Sequence, residues 1–434
     1  MDLLKTEACQ EIDKHAQDLG SLATKIWNLA EPGGKEVKSA EAIIGFLVAH
    51  EFVVTKNYRG MPTAFRAEFG ESEYGGRKRP NVCFVCRYDA NKKKGHVNGN
   101  NLGTQVAVAA ALGLKAVIRA SSAGIGKVTL LGCPNSAKGW LIKMLNRKAF
   151  LDIDVVLSAA PGDRTEWNPT YVASKTYRAT YTGSLGNMEG DNIIPGTSAL
   201  DGAVYAYSNI LAMKEHFGPG WQAEGVISRG GHSMYVVPTQ CETTVKITGP
   251  TDRDLALLER RVLPCFDAAA QSSGCELELV LGDKSYRGMI NNTTLVYMMQ
   301  INAYYCGILA TPLKKKKIMS SVDIANVSRI LPAVRPIFYI GTDAEIGTDE
   351  FKMAANTENA HWYANSMGKT LALTAIDFLQ TPLTMFNCKQ DLVNRLKQEK
   401  EETTFMMFPV NQVANLSLAT ALPADSNTGW SRLM

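Results

Sequence analysis

Three short apolar runs constrain this chain more than anything else in it. Residues 82–88, 128–131 and 155–157 are rich in β-branched side chains, and each ends abruptly in small or polar ones. Strands buried on both faces of a parallel sheet read this way, because helices cover both sides and no polar face is needed. Between the runs lie helical stretches, residues 105–119 (rich in alanine and leucine) and residues 138–145. Parallel neighbours require a crossover, usually a helix. The alternation predicts an α/β fold on an open, mostly parallel sheet.

The middle of the chain has a different order. Strand patterns at 178–182, 224–228, 242–248 and 276–280 are interleaved with helical patterns at 198–215 and 252–271. The resulting β-α-β-β-α-β series is that of a ferredoxin-like unit. After Ile290 the pattern returns to long helices and a strand near 335–340. A length of 434 residues exceeds what one small core organises. The expected organisation is an α/β domain of residues 1–175 and 283–434, interrupted by an inserted α+β domain of residues 176–282. Beyond about Glu402 no period is evident.

Composition excludes several function classes. A net charge of +4, with 20% charged and 45% hydrophobic residues, gives no footprint for nucleic acid. The lysine runs at 92–94 and 314–317 read as solvated loops. The N-terminal residues lack the apolar core and cleavage site of a signal peptide, and no uncharged apolar stretch reaches about 18 residues, so no membrane association is expected. Nine scattered cysteines point to reduced thiols and a cytoplasmic protein. Cys83 and Cys86 fall inside an apolar strand run, where a redox pair would lack its turn or helix start, so they read as buried thiols.

Chemistry in parallel α/β sheets gathers in loops at the carboxyl ends of strands. Here those loops are residues 89–102, 133–139 and 159–163. The first carries Gly95-His96-Val97-Asn98-Gly99-Asn100-Asn101. Three such loops around an inserted ferredoxin-like unit resemble metallopeptidase family twenty: aminoacylases, carboxypeptidases, auxin-conjugate hydrolases and Xaa-Arg dipeptidases. The similarity extends to about residue 400 and is nearest the dipeptidase-like branch. Residues 61–70 (MPTAFRAEFG) are similar to that branch's early strand pair. Tyr88-Asp89-Ala90 matches its Tyr-Asp-Ala, Ala199-Leu200-Asp201 its Ala-Leu-Asp, and Val322-Asp323-Ile324-Ala325-Asn326-Val327-Ser328 resembles its Thr-Asp-Met-Gly-Asn-Val-Ser. The resemblance implies a zinc-aminopeptidase-like α/β domain with an inserted lid and dimerisation domain, and a homodimer formed through the insert.

The departures from the family pattern concentrate where that family holds its metals. His-Ala-Cys-Gly-His-Asn reads here His96-Val97-Asn98-Gly99-Asn100-Asn101, and Pro-Ala-Glu-Glu reads Pro134-Asn135-Ser136-Ala137. Ala-His-Pro reads Ala159-Ala160-Pro161, the late His-Thr reads Gly347-Thr348, and the lid histidine aligns with Asn187. Protein zinc sites use thiolate, imidazole or carboxylate. A neutral asparagine carbonyl substitutes poorly, and alanine and glycine offer no donor. The expectation is therefore no metal and no other cofactor, with both the activated water and its base lost. A hard-cation site built from Asp89, Asp163 and Asp323 has no spacing in its favour.

Two functional classes follow. In one, the cleft is repurposed for metal-free chemistry on an amino-acid- or amine-derived small molecule: condensation, cyclisation or isomerisation in specialised alkaloid or peptide biosynthesis. Its catalytic candidates are Asn98, Asn100, Ser136, Asn187, Asp323 and Tyr235, with Asp323 activating the neighbouring donors and Tyr235 giving a proton. Its substrate-binding candidates are His96, Asp89, His232 and Asn101. His96 also carries a purely structural reading. In the other class, the chain is a non-catalytic pseudo-hydrolase that binds a ligand or regulates an active paralogue. Residual amide hydrolysis is a third alternative.

Overall fold

The sheet is built around the apolar runs. The computed structural model describes residues 2–121, 124–185, 196–231, 236–310 and 318–405. Strands β1 (Val53–Lys56), β2 (Phe65–Gly70), β3 (Asn81–Cys86), β4 (Lys127–Gly132) and β5 (Val155–Leu157) lie in its first part. A second set, β6 (Ala173–Thr182), β7 (Gln222–Arg229), β8 (Gln240–Gly249) and β9 (Glu276–Tyr286), follows, and β10 (Ala333–Val334) returns to the first sheet. The first sheet has the order β1-β2-β4-β3-β5-β10. β3 pairs in parallel with β4 and β5, β5 pairs in parallel with β10, and β2 runs antiparallel to β4 and to β1. The expected, mostly parallel sheet is present.

The strand order reverses at β3, since β4 lies on one side of it and β5 on the other. Crossovers that leave on opposite faces open a crevice at such a switch point. That places the carboxyl end of β3 at the centre of any cleft.

Helices α1 (Leu3–Lys14), α2 (Ala16–Leu29), α3 (Val37–Ala49), α4 (Asn100–Ala120) and α5 (Trp140–Asn146) precede the second sheet. Helix α4 is long and apolar enough to cross a membrane, yet 89% of that window is buried inside the fold. It is the central core helix. A Cβ on its Gly113 would lie 2.8 Å from Ile12 Cδ1 and 3.2 Å from the Ala8 carbonyl oxygen, so α1 packs closely on α4 there. The strand thiols Cys83 and Cys86 are fully buried on opposite faces of β3, in separate core clusters, and burial pushes both up to about 12. Such thiols are inert packing groups.

Helices α6 (Ala199–Met213) and α7 (Asp252–Ser273) sit with the second sheet, whose order is β7-β8-β6-β9 and whose pairings are all antiparallel. The β-α-β-β-α-β series is as expected, and it encloses its own core around Tyr181, Phe266 and Val245. The strands begin at Ala173 and end at Tyr286, a few residues outside the expected limits at each side. Residues 1–396 form one compact unit.

After β9 come α8 (Thr293–Tyr305), α9 (Ile324–Val327), α10 (Asp349–Ala354), α11 (Glu358–Gln380) and α12 (Pro382–Phe405). Two local expectations change. The strand near 335–340 is two pieces: β10 belongs to the main sheet, and Ile337–Tyr339 pairs separately with Ala160–Gly162. Pro336 lies between them and has no N–H to continue a ladder. The helix expected at 138–145 is broken by Gly139, whose φ of 63° separates a short turn at Ser136–Lys138 from α5. The stretch beyond Phe405 lies outside the described residues.

Candidate active site

The carboxyl end of β3 delivers Arg87, Tyr88 and Asp89 in succession. Tyr88 turns inward and its hydroxyl donates to the Thr63 carbonyl at 2.6 Å. Asp89 is 5% exposed and collects contacts from the far end of its own loop and from the second loop. Asn100 Nδ2 donates to the Asp89 carbonyl oxygen (2.8 Å) and to Asp89 Oδ1 (3.0 Å), and Ser136 Oγ donates to Asp89 Oδ2 at 2.9 Å. The sequence candidates Asp89, Asn100 and Ser136 are thus brought into one network. Burial pushes the Asp89 carboxyl above its ordinary range, against the pull of the Ser136 hydrogen bond and the Arg87 charge.

The loops are held by close fits. Gly99 has φ 65°, and a Cβ there would lie 2.6 Å from Pro161 Cγ, so the Asn98–Asn100 turn presses directly on the third loop. Asn135, which precedes Ser136, sits in the left-handed region at φ 52°. Its N–H donates to Glu36 Oε1 at 2.7 Å, and Glu36 Oε2 accepts from Gly34 N–H at 2.8 Å. Glu36 is fully buried, and burial raises its carboxyl above the usual range. This carboxylate fixes the bend that aims Ser136 at Asp89.

Other candidates are placed differently. Asn98 is exposed at the rim of the first loop. His96 is 1% exposed and its Nε2 lies 3.0 Å from the Ile26 carbonyl, a contact that makes it the N–H-bearing nitrogen. Burial lowers the imidazole to about 4, so it is neutral at physiological pH. Asn101 is fully buried and its Nδ2 donates to the Ala355 carbonyl, capping the end of α10. Both side chains face the protein interior, which corrects their expected place against substrate; α4 begins at Asn100 and turns Asn101 away from the loop.

Asp323 also departs from expectation. Its carboxylate bonds neither Asn98 nor Asn100. Arg87 Nη2 donates to its Oδ1 and the Leu141 N–H to its Oδ2 at 3.1 Å, at the foot of α9. Its carboxylate balances a buried guanidinium rather than activating donors. Asp163 is paired with Arg164 at 2.8 Å. Asn187, His232 and Tyr235 lie outside the described residues.

The sequence pattern gives no role to Glu36, Asn135 or Arg87, which hold these loops, or to Arg335 beyond β10. The two arginines had a legible signal, since each is a charge set directly beside a buried apolar strand run. Tyr286, at the end of β9, reaches this region too. Its hydroxyl would lie 3.0 Å from a Cβ on Gly139, and burial together with the Asp323 charge pushes it up to about 12.

No family model matches the chain. It is 31% identical over 411 residues to the Xaa-Arg dipeptidase of Mus musculus, covering 92% of this chain and 94% of that protein. The Xaa-Arg dipeptidase of Homo sapiens is 30% identical over 415 residues, with 92% and 94% covered. The chain belongs to the family of these dipeptidases, peptidase family M20. Solved structures agree on the fold. A dinuclear metal-binding peptidase of this family from Bacillus subtilis matches at a TM-score of 0.57 with 13% identity, covering 82% of this chain and 99% of that one. An aminobenzoyl-glutamate utilization protein from Klebsiella pneumoniae matches at 0.62 with 14% identity, covering 85% and 98%. In this member of family M20, no group of three or more His, Cys, Asp or Glu side chains among the described residues is placed to hold a metal ion.

Proposed function

We propose that this family M20 chain works without a metal, acting on an amino-acid- or amine-derived small molecule by condensation, cyclisation or isomerisation rather than hydrolysis. The carrying observation is the Asn100–Asp89–Ser136 network. By alignment to the family pattern, Asn100 stands where a metal-binding histidine belongs and Ser136 where the general base belongs. Here both side chains bond to Asp89 instead. Of the remaining aligned positions, Ala160 offers no donor atom, and Gly347 has φ 97° with nothing within 4 Å of a Cβ. One carboxylate, an amide and a hydroxyl do not make a zinc site.

The same groups suit proton transfer. A buried carboxyl with a raised pKa, hydrogen-bonded to a hydroxyl, gives and takes a proton closer to neutral pH than a free aspartate does. Ser136 stands between Asp89 and the loop surface as the relay. Asn98, exposed on the same loop, offers an amide N–H to a substrate oxygen. A non-catalytic, ligand-binding role is the second reading: both Asp89 oxygens are already satisfied by the chain's own donors, as a structural carboxylate's would be. Residual amide hydrolysis would need a ligand and a base that Asn100 and Ser136 do not supply.

The test is conversion of a panel of amino-acid-derived carbonyl compounds and amines, with chelator present, followed by mass spectrometry. Turnover that persists in chelator and vanishes in Asp89→Asn and Ser136→Ala supports the catalytic reading. Zinc-dependent cleavage of an Xaa-Arg dipeptide contradicts it. We further propose that the insert is a ferredoxin-like lid through which two copies pair. Its edge strands β7 and β9 expose Val226, Val280 and Leu281. A strict monomer by light scattering at micromolar concentration contradicts that. The nine free cysteines fit a reducing, cytoplasmic setting.

A further inference from the structure

Helices α1 and α8 are remote in sequence and meet beside α11. Lys5 Nζ donates to Asn302 Oδ1 at 3.0 Å and pairs with Asp377 Oδ1 at 2.6 Å, while Asn302 Nδ2 donates to Asp377 Oδ2 at 2.8 Å. One turn further along α1 is Cys9, and one turn further along α8, at its C-cap, is Cys306. Residues four apart share a helix face, so the register set by Lys5 and Asn302 brings the two thiols against each other. They are hydrogen-bonded to one another, and Thr370, two turns back from Asp377 on α11, bonds to Cys306. Both cysteines are half-buried and pack against the main core.

This pair is unlike the strand thiols. Cys83, Cys86 and Cys388 are buried singly, and burial raises each of them. Cys9 is lowered from the ordinary thiol value, first by the hydrogen bond with Cys306 and further by the Lys369 charge, against burial and Asp13. Lys369 is held there by its pairing with Asp13 at 2.6 Å, one turn beyond Cys9. Cys306 is raised by the same hydrogen bond and by burial, so it keeps its proton and is the donor. A thiolate is the form that attacks an oxidant, and a second thiol within reach resolves the product before it oxidises further.

We propose that Cys9 and Cys306 are an oxidation site for hydroperoxides, closing to a disulfide that fastens α1 to the end of α8 and opening again with a thiol reductant. The Cys9 thiolate sulfur attacks one peroxide oxygen and the O–O bond breaks. A sulfenic acid forms on Cys9, and the other oxygen leaves as hydroxide or alkoxide, taking up the proton that Cys9 released. The Cys306 sulfur then attacks the Cys9 sulfur, the S–O bond breaks, and the Cys306 proton departs with that oxygen as water. The two thiols lose two electrons and the peroxide gains them. No step involves the Asp89 cleft, so the inference stands whether or not that cleft is catalytic.

The test treats the reduced full chain with stoichiometric hydrogen peroxide at neutral pH, alkylates the remaining thiols and maps the peptides by mass spectrometry. A peptide linked through Cys9 and Cys306 is expected, with the loss of two alkylatable thiols, both reversed by dithiothreitol. Because the bond closes a very long loop, the melting temperature should rise by about 3 °C or more. In Cys306→Ser, the Cys9 sulfenic acid should accumulate and be trapped by dimedone, and in Cys9→Ser the Cys306 thiol should survive the same treatment. Absence of the linked peptide overturns the proposal, as does its formation only in urea or first oxidation at any other cysteine. Sulfenic acid that persists in the parent as long as in Cys306→Ser overturns the resolving role of Cys306. A linked chain with an unchanged melting temperature overturns the fastening of α1. If either serine variant fails to fold, the parent's linked peptide and its reversal by dithiothreitol carry the test.

Discussion

The carboxyl ends of β3 and β10 each bury an arginine, and the protein treats the two in opposite ways. Arg87 is neutralised by Asp323, whose second oxygen is taken by a backbone N–H of α5. Arg335 has no such partner among the described residues, and two of its nitrogens are unsatisfied. The same side chain at equivalent strand ends is thus closed in one place and open in the other. A closed charge is part of the scaffold's own pairing, while the other is left unpaired among the described residues. The first loop shows the same division on a smaller scale. His96 and Asn101 face inward, Asn100 is bound to Asp89, and Asn98 faces out.

The largest expected effect falls on the closed end. Asp323→Ala leaves Arg87 charged and buried, and should lower unfolding free energy in urea by about 3–5 kcal/mol. A loss under about 1 kcal/mol shows that the pair is not structural and removes the contrast with Arg335.

The inward side of the loop is tested by pH. The folded-state pKa of His96 is depressed to about 4, below the unfolded value of 6.5. Its contribution is complete above about pH 6.5 and fades as pH falls toward 4, amounting to about 3 kcal/mol at most. Asp89 and Glu36, whose folded pKa values are raised, work in the opposite sense and gain stability on acidification. Comparing the parent with His96→Phe at pH 7 and pH 4.5 isolates the histidine. The variant should show a flatter decline, and an unchanged decline means that His96 is not sealed from water.

Smaller effects belong to the outward groups. Ser136→Ala removes one hydrogen bond to a carboxylate, lowers stability by about 1–2 kcal/mol and lifts the Asp89 carboxyl further, a shift that carbon NMR of the carboxyl reads directly. Asn98→Ala should change stability by less than about 0.5 kcal/mol, since the side chain is exposed. On the catalytic reading it should nevertheless reduce turnover by about a hundredfold or more. Full activity in that variant assigns Asn98 to the surface.

Much of this was legible beforehand, for a physical reason. Buried parallel strands announce themselves by β-branched runs, and the runs at 82–88, 128–131 and 155–157 became β3, β4 and β5. Loops at their carboxyl ends followed from topology. What stayed hidden was which way each side chain points. The start of α4 at Asn100 decides that Asn101 looks inward, and no pattern in the loop reveals that register. Arg87–Asp323 joins residues 236 positions apart, a distance at which no local pattern acts. Glu36 and Asn135 likewise meet across 99 positions. The strand expected at 335–340 split because a proline carried more weight than apolar content.

We propose that the cleft of this family M20 member has no metal centre. Zinc is the direct probe. The purified chain, stripped with chelator, re-equilibrated with zinc and then dialysed exhaustively, is assayed by elemental analysis and for cleavage of an Xaa-Arg dipeptide. Zinc far below one ion per chain, with no cleavage, is the expected result. Sites of this chemistry hold their ions through dialysis, so one or two retained zinc ions per chain with dipeptide hydrolysis would contradict it.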